Sequence, residues 1–209
     1  YDFPDWTGLP VAERDDGDIS ALPDTKVAIT AATDLPVEDP VIVVNGIALD
    51  ASASGLETHG SFTVSEEGSW HVAVRHEGTL ARISDTYLIN IVADAPPEVA
   101  FSWPGHDGQA TAIEEVALRF RAEDDYGIES LVLNYSVNGG AWVDVALENA
   151  EDEDEAGHLL YLEDLTVTSK ANDDAKTQQR PLKPGDMITF FAEAKDHRQQ
   201  VRTALYFVD

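Results

Sequence analysis

An all-β protein built from antiparallel sandwiches is the fold class this sequence predicts, on three observations. Apolar residues recur with a period of two, in short runs rich in Val, Ile and aromatics. Clusters of Gly, Pro, Asn and Asp separate those runs and punctuate the chain into turns. No amphipathic helical period of useful length competes with them.

Taken in order, the first half predicts strands at Lys26–Ala32, Val41–Val44, Ser61–Val64, Trp70–His76 and Tyr87–Val92, after an extended lead-in from Tyr1 to Ala12. The second half predicts Val99–Trp103, Val116–Glu123, Ser130–Val137, Trp142–Leu147, Leu159–Leu165, Met187–Ala194 and Val201–Val208. Glu148–Gly157 and Thr168–Arg180 are polar and aperiodic, and read as mobile loops. Between the halves, Pro96-Pro97 fixes φ twice and removes two backbone donors, so one sheet cannot run through. Domains of residues 1–95 and 96–209 follow, and the short proline-stiffened linker is expected to hold them in a restricted, end-to-end arrangement.

Charge narrows the function. The 209 residues include 40 Asp and Glu against 13 Lys and Arg, a formal charge of −27, and no cysteine. Residues 1–95 hold 4 basic against 17 acidic side chains (−13) and residues 96–209 hold 9 against 23 (−14), so the acidity is spread over both halves. Such a surface repels phosphate backbones and anionic lipid, which excludes nucleic acid as a partner and direct membrane contact within this segment. The absence of cysteine excludes a disulfide framework, a thiolate nucleophile and a Cys-type zinc site. A hydrophobic content of 43% supplies cores instead, and is too high for a disordered acidic tail. Only five of the basic residues are Lys, and an evenly acidic, lysine-poor surface suits a protein that stays solvated and monomeric in salty surroundings. No run approaches the roughly 18 apolar residues of a spanning helix. The start at Tyr1, without a basic and apolar leader, reads as a mature product or an excised segment.

Catalytic patterns are weak. None of His59, His71, His76, His106, His158 and His197 has a helical i, i+4 partner, and parity puts His71 and His76 on opposite strand faces. No Gly-x-Ser-x-Gly elbow is present, and no carboxylate is singled out for a raised pKa. The chain therefore reads as no enzyme, without cofactor. Calcium is the metal its oxygen-rich clusters suit best, at Asp15, Asp16 and Asp18 or at Glu123, Asp124 and Asp125. The competing reading of both clusters is turn formation. The run Glu148–Glu155 reads as a solvated loop before it reads as a docking site for a basic partner. Trp70, Trp103 and Trp142 are assigned to cores, leaving Trp6 and Tyr126 as the exposed aromatics, too few and too scattered for a sugar-stacking platform.

Several motifs point to a particular kind of sandwich. Glu66-Glu67-Gly68-Ser69-Trp70-His71-Val72 resembles the tyrosine corner of immunoglobulin domains, with Trp70 at the tyrosine place and Val72 at the cysteine place. Alternation then aims Trp70, Val72 and Val74 inward and His71, Ala73 and Arg75 outward. An indole accepts no hydrogen bond, so the corner's usual bond to upstream backbone is not expected. Leu182-Lys183-Pro184-Gly185-Asp186 with Met187–Ala194 resembles the fibronectin type III strand-F pattern, placing Ile188, Phe190, Ala192 and Ala194 in a core. Ala122-Glu123-Asp124-Asp125-Tyr126-Gly127-Ile128 looks like the B–C segment of bacterial Ig-like domains, with Gly127 supplying a positive φ, and Asn138-Gly139-Gly140 turns a hairpin.

Together with Trp6-Thr7-Gly8-Leu9-Pro10, Asp16-Gly17-Asp18-Ile19-Ser20-Ala21-Leu22, Gly60-Ser61-Phe62-Thr63-Val64 and Pro96-Pro97-Glu98-Val99, these motifs occur in an order similar to a poorly characterised family of large bacterial envelope proteins. Its members have N-terminal membrane helices, tandem Ig-like domains outside the cytoplasmic membrane and a long helical C-terminal region. The resemblance implies two tandem immunoglobulin/fibronectin-III-like antiparallel β-sandwiches, cut from a membrane-anchored protein and located in the periplasm or at the cell surface. It carries no catalytic residues. The expected function is a spacer or protein-interaction module, binding a partner that is basic or is added at an edge strand. The alternative is a glycan- or calcium-binding adhesion module.

Overall fold

The structure, a computed structural model, describes residues 1–147, 156–170 and 177–209. It is an all-β chain folded into β-sandwiches, with two 3-10 turns and no α-helix among the described residues. Two compact units divide it, Tyr1–Asp94 and Ala95–Asp209.

The first unit contains β1 (Ile19–Ala21), β2 (Lys26–Ala32), β3 (Pro40–Val44), β4 (Ile47–Asp50), β5 (Ser52–Ser54), β6 (Glu57–Thr63), β7 (Gly68–His76), β8 (Thr79–Arg82) and β9 (Tyr87–Ile91). One sheet has the order β2-β6-β5, and the other β1-β9-β7-β3-β4, with β8 on the second half of β7. The pairs are antiparallel except β1 with β9, where Ile19 lies opposite Ile89. Val27, Ile29 and Phe62 from the first sheet face Ile42, Trp70, Val72 and Ile89 from the second. Two sheets each buried on one face explain the period of two that dominates the sequence.

The second unit contains β10 (Glu98–Trp103), β11 (Glu115–Glu123), β12 (Ser130–Val137), β13 (Val143–Leu147), β14 (Ala156–Tyr161), β15 (Thr166–Lys170), β16 (Thr177–Pro181), β17 (Ile188–Lys195), β18 (Gln200–Arg202) and β19 (Tyr206–Val208). Its sheets are β10-β11-β14 and β13-β12-β17-β18, with β19 also on β17, and β15 pairs with β16. Ile188, Phe190, Ala192 and Ala194 are all buried, as alternation requires, and pack with Phe101, Leu118, Phe120, Leu131 and Leu133. Asn138 and Gly139, at φ of 50° and 67°, close the turn after β12, and Gly127 has φ of 101°.

Several expectations need correction. Thr168–Arg180 is not a single loop, because β15 and β16 pair from Thr166 opposite Pro181 to Lys170 opposite Thr177. That hairpin is polar in sequence and carries little alternation to read. Ala156 and Gly157 open β14, while residues 148–155, which include the whole acidic run, lie outside the described residues, as do 171–176. The strand expected over Leu159–Leu165 stops at Tyr161 and becomes a 3-10 turn at Leu162–Asp164. Val201–Val208 breaks between β18 and β19. The lead-in holds a 3-10 turn, Asp5–Thr7. Ala73 is buried at 1% exposure, packed with Val41 and Val43 in a small cluster of their own. Trp70 does make the corner's bond: its indole N–H donates to the Gly17 carbonyl at 2.8 Å. The corner needs a donor, which an indole supplies.

Candidate functional site

The edge of β2 is the first feature of the fold that offers binding. Val27 and Ile29 point into the core, while Lys26, Ala28, Thr30 and Ala32 are exposed. Asp2 covers the strand's outer edge at its start, donating N–H to the Lys26 carbonyl at 2.8 Å and accepting from the Lys26 N–H at 2.9 Å. The 3-10 turn at Asp5–Thr7, ended by Gly8 in a left-handed conformation, then carries the chain away. Beyond Lys26, β2 pairs with β6 alone among the described residues. Because antiparallel strands send alternate residues' polar groups to opposite sides, Ala28, Thr30 and Ala32 present N–H and C=O on the same edge as Lys26. None of these three carries the charge, proline or bulge that normally blunts an edge. The equivalent edge of the second unit is closed, since β10 covers β11 from Glu98 opposite Glu123 to Phe101 opposite Phe120.

A cleft of about 370 Å³ opens beside this edge, lined by Val27 to Ala32, Trp70, Tyr87 and the segment Arg14–Gly17. Arg14 lies over the Tyr1 ring at 4.9 Å. Burial raises the Tyr1 phenol, with Arg14 opposing that rise and Asp16 adding to it. Asp15 and Asp16 thus belong to the cleft wall.

The other proposed calcium ligands serve local geometry. Asp18 accepts the Leu88 N–H at 2.8 Å, tying the β1 entrance to β9. Glu123 pairs with Arg121. Asp124 accepts the Tyr126 N–H at 2.9 Å, as a turn-forming aspartate does, and Asp125 is exposed. Among the described residues, no group of three or more His, Cys, Asp or Glu is placed to hold a metal ion. The histidines do not converge either. His59 contacts Glu57 and Thr30, burial lowers the pKa of His71 with Arg82 adding to it, and burial alone lowers His158.

The aromatic assignments change most. Trp103 is 59% exposed and Trp142 is 47% exposed, so neither is a core residue, while Trp6 and Tyr126 are half-buried. Parity within a strand decides which face a side chain takes, but Trp103 is the last residue of β10 and Trp142 lies just before β13, where the pattern no longer constrains them. Trp142 stands against Phe191 with ring centroids 5.0 Å apart at 69°. The two rings are not coplanar. A cleft of the second unit, about 450 Å³, is lined by residues 109–112, 182–186 and Val208 and Asp209, and its Asp186 is already bound by Arg180 and Asn138.

No family model and no curated protein matches the sequence. Solved structures resemble the fold only distantly. An engineered protein is 14% identical with a TM-score of 0.36, over 58% of this chain, which spans 21% of that one. The fibronectin(III)-like modules of Clostridium thermocellum CbhA are 11% identical with a TM-score of 0.30, over 91% of this chain and 88% of theirs. DIP-gamma IG1+IG2 is 8% identical with a TM-score of 0.34, over 92% of each chain. Likenesses this low carry no argument, and the sandwich assignment rests on the sheets themselves.

Proposed function

We propose that the chain is a non-catalytic spacer and protein-interaction segment of a bacterial cell-envelope protein, working outside the cytoplasmic membrane. The observation that carries this reading is the open edge of β2 from Ala28 to Ala32. A partner's extended segment adds there as a further strand, with main-chain hydrogen bonds giving affinity. Asp15 and Asp16 line the adjoining cleft and favour basic side chains on that segment. The order of motifs, similar to that of the bacterial envelope family, supports the location.

Ala28→Pro tests the edge. Its N–H faces the open side, so proline removes a donor that the β2–β6 ladder does not use, and folding is retained. A photo-crosslinker at position 32 of the envelope protein in cells is expected to trap one discrete partner, and Ala28→Pro to abolish that adduct. An adduct indifferent to Ala28→Pro, or none at all, defeats the proposal.

A further inference from the structure

We propose that the outer face of the β13-β12-β17-β18 sheet is a binding groove for a neutral saccharide, with Trp142 as its stacking ring. The groove, about 530 Å³, includes Trp142, Phe191, Asn134, Glu193, Gln200 and Arg202 in its lining. That volume falls within the ~300–1,000 Å³ of small-ligand clefts.

Register explains how these side chains meet. Leu131, Leu133 and Tyr135 face the core, so Asn134 between them faces outward, opposite Asp144 on β13 and Phe191 on β17. An outward asparagine on a sheet is ordinarily solvated, yet Asn134 is only 9% exposed. Among the described residues its Nδ2 is buried without a hydrogen-bond partner. A buried amide left unpaired is costly, which marks it as a group that the described residues leave to a partner. Glu193 lies opposite Arg202, and the Arg202 Nε donates to its carboxylate at 3.0 Å. The same guanidinium lies 5.3 Å from the Phe191 ring centroid. One face of Phe191 is thereby occupied, and Trp142 is the ring left to stack.

These groups suit a sugar. A pyranose has an apolar C–H face and a rim of hydroxyls that both donate and accept. The groove sets an exposed indole beside an amide, a carboxylate, a guanidinium and Gln200, which match that rim. Neutrality follows from charge: Arg202 is already matched by Glu193, and residues 96–209 carry −14, which repels sulfated or uronic chains. The angled rings fit one sugar residue held at a corner, where a coplanar pair would suit a flat chain.

Native affinity electrophoresis of the full 209-residue chain in gels of soluble starch, mannan, laminarin or xylan, with dextran sulfate as the anionic comparison, tests the site. At least one neutral polysaccharide is expected to retard the protein, and Trp142→Ala to weaken that affinity about tenfold. Trp103→Ala, an exposed tryptophan outside the groove, leaves it unchanged. Should Trp142→Ala melt early, Gln200→Ala at an exposed position is expected to cost about threefold without a change in melting. No retardation of folded wild-type protein, retardation that survives both groove substitutions, or retardation by dextran sulfate alone overturns the proposal.

Discussion

Gly17 is a position where one hydrogen atom decides the packing of the first unit. Its carbonyl accepts the Trp70 indole, and Trp70 stacks on Tyr87 with centroids 4.8 Å apart. A Cβ built on Gly17 would lie 2.1 Å from Cδ1 of that Tyr87 ring. The ring cannot swing aside without leaving Trp70, so Gly17→Ala is expected to cost about 1–3 kcal/mol, the range of an overpacked site, read from urea unfolding. Trp70→Phe keeps an aromatic ring but strands the carbonyl, and about 1 kcal/mol of its loss belongs to the hydrogen bond. The sequence showed Trp70 as core through its place in a strand. Its bond to Gly17, 53 residues upstream, was hidden because a glycine in an acidic turn reads as flexibility, whereas here it permits a close approach. Asn134 was hidden for a different reason: polar residues on an outer sheet face are expected there, and only the structure shows this one covered.

At the scale of elements, Asp186 clamps three of them together in the second unit. It accepts from Arg180 at the end of β16, from Asn138 in the turn after β12, and from the Lys183 N–H in its own loop. The Arg180 hydrogen bond first, then that from Asn138, hold its carboxyl well below the usual carboxylate range, against desolvation, with the Lys183 N–H and the charge of Arg180 adding to them. A depressed folded-state pKa means that the unfolded chain binds the proton more readily. The clamp's contribution is therefore complete above the unfolded value of about 4, and is lost as pH falls below it towards the lower folded value. Urea midpoints are expected to drop from about pH 4 downward in the wild type, and Asp186→Asn to flatten that drop while lowering the plateau. An unchanged acid profile in Asp186→Asn would place the sensitivity elsewhere. The clamp also explains what the sequence left unread. Arg180 appeared to end a polar loop, yet it anchors a hairpin whose strands carry little apolar alternation. By contrast, β2, β12 and β17 were legible because each buries alternate residues in a core, and burial is what writes a period of two into a sequence. The open edge of β2 was not legible, since pairing depends on where the lead-in turns away and not on β2 itself.

For the molecule as a whole, charge and core pull in opposite directions. Two cores, one around Trp70 and Val72 and one around Phe120 and Phe190, hold the two units. Around them lies a charge of −27, split as −13 and −14 between residues 1–95 and 96–209. Only 13 Lys and Arg side chains stand against 40 Asp and Glu. Arg75 pairs with Asp39 and Asp50 at 3.2 and 3.3 Å, and Lys195 with Glu129 at 2.6 Å, all on exposed side chains. Exposed pairs of this kind contribute little, so most of the like-charge repulsion in the compact state is left to the solvent to screen. At an ionic strength of 0.15 M, charges are screened beyond about 8 Å, and at 1 M beyond about 3 Å. Folding brings acidic groups closer than the extended chain does, so added salt relieves the folded state more. The melting temperature is accordingly expected to rise by several degrees between low salt and molar sodium chloride. Choline chloride should match that rise, because screening depends on ionic strength and not on a bound sodium ion. A flat salt response would mean that local pairing already neutralises the surface. A rise in sodium that choline fails to reproduce would point to site binding in place of screening.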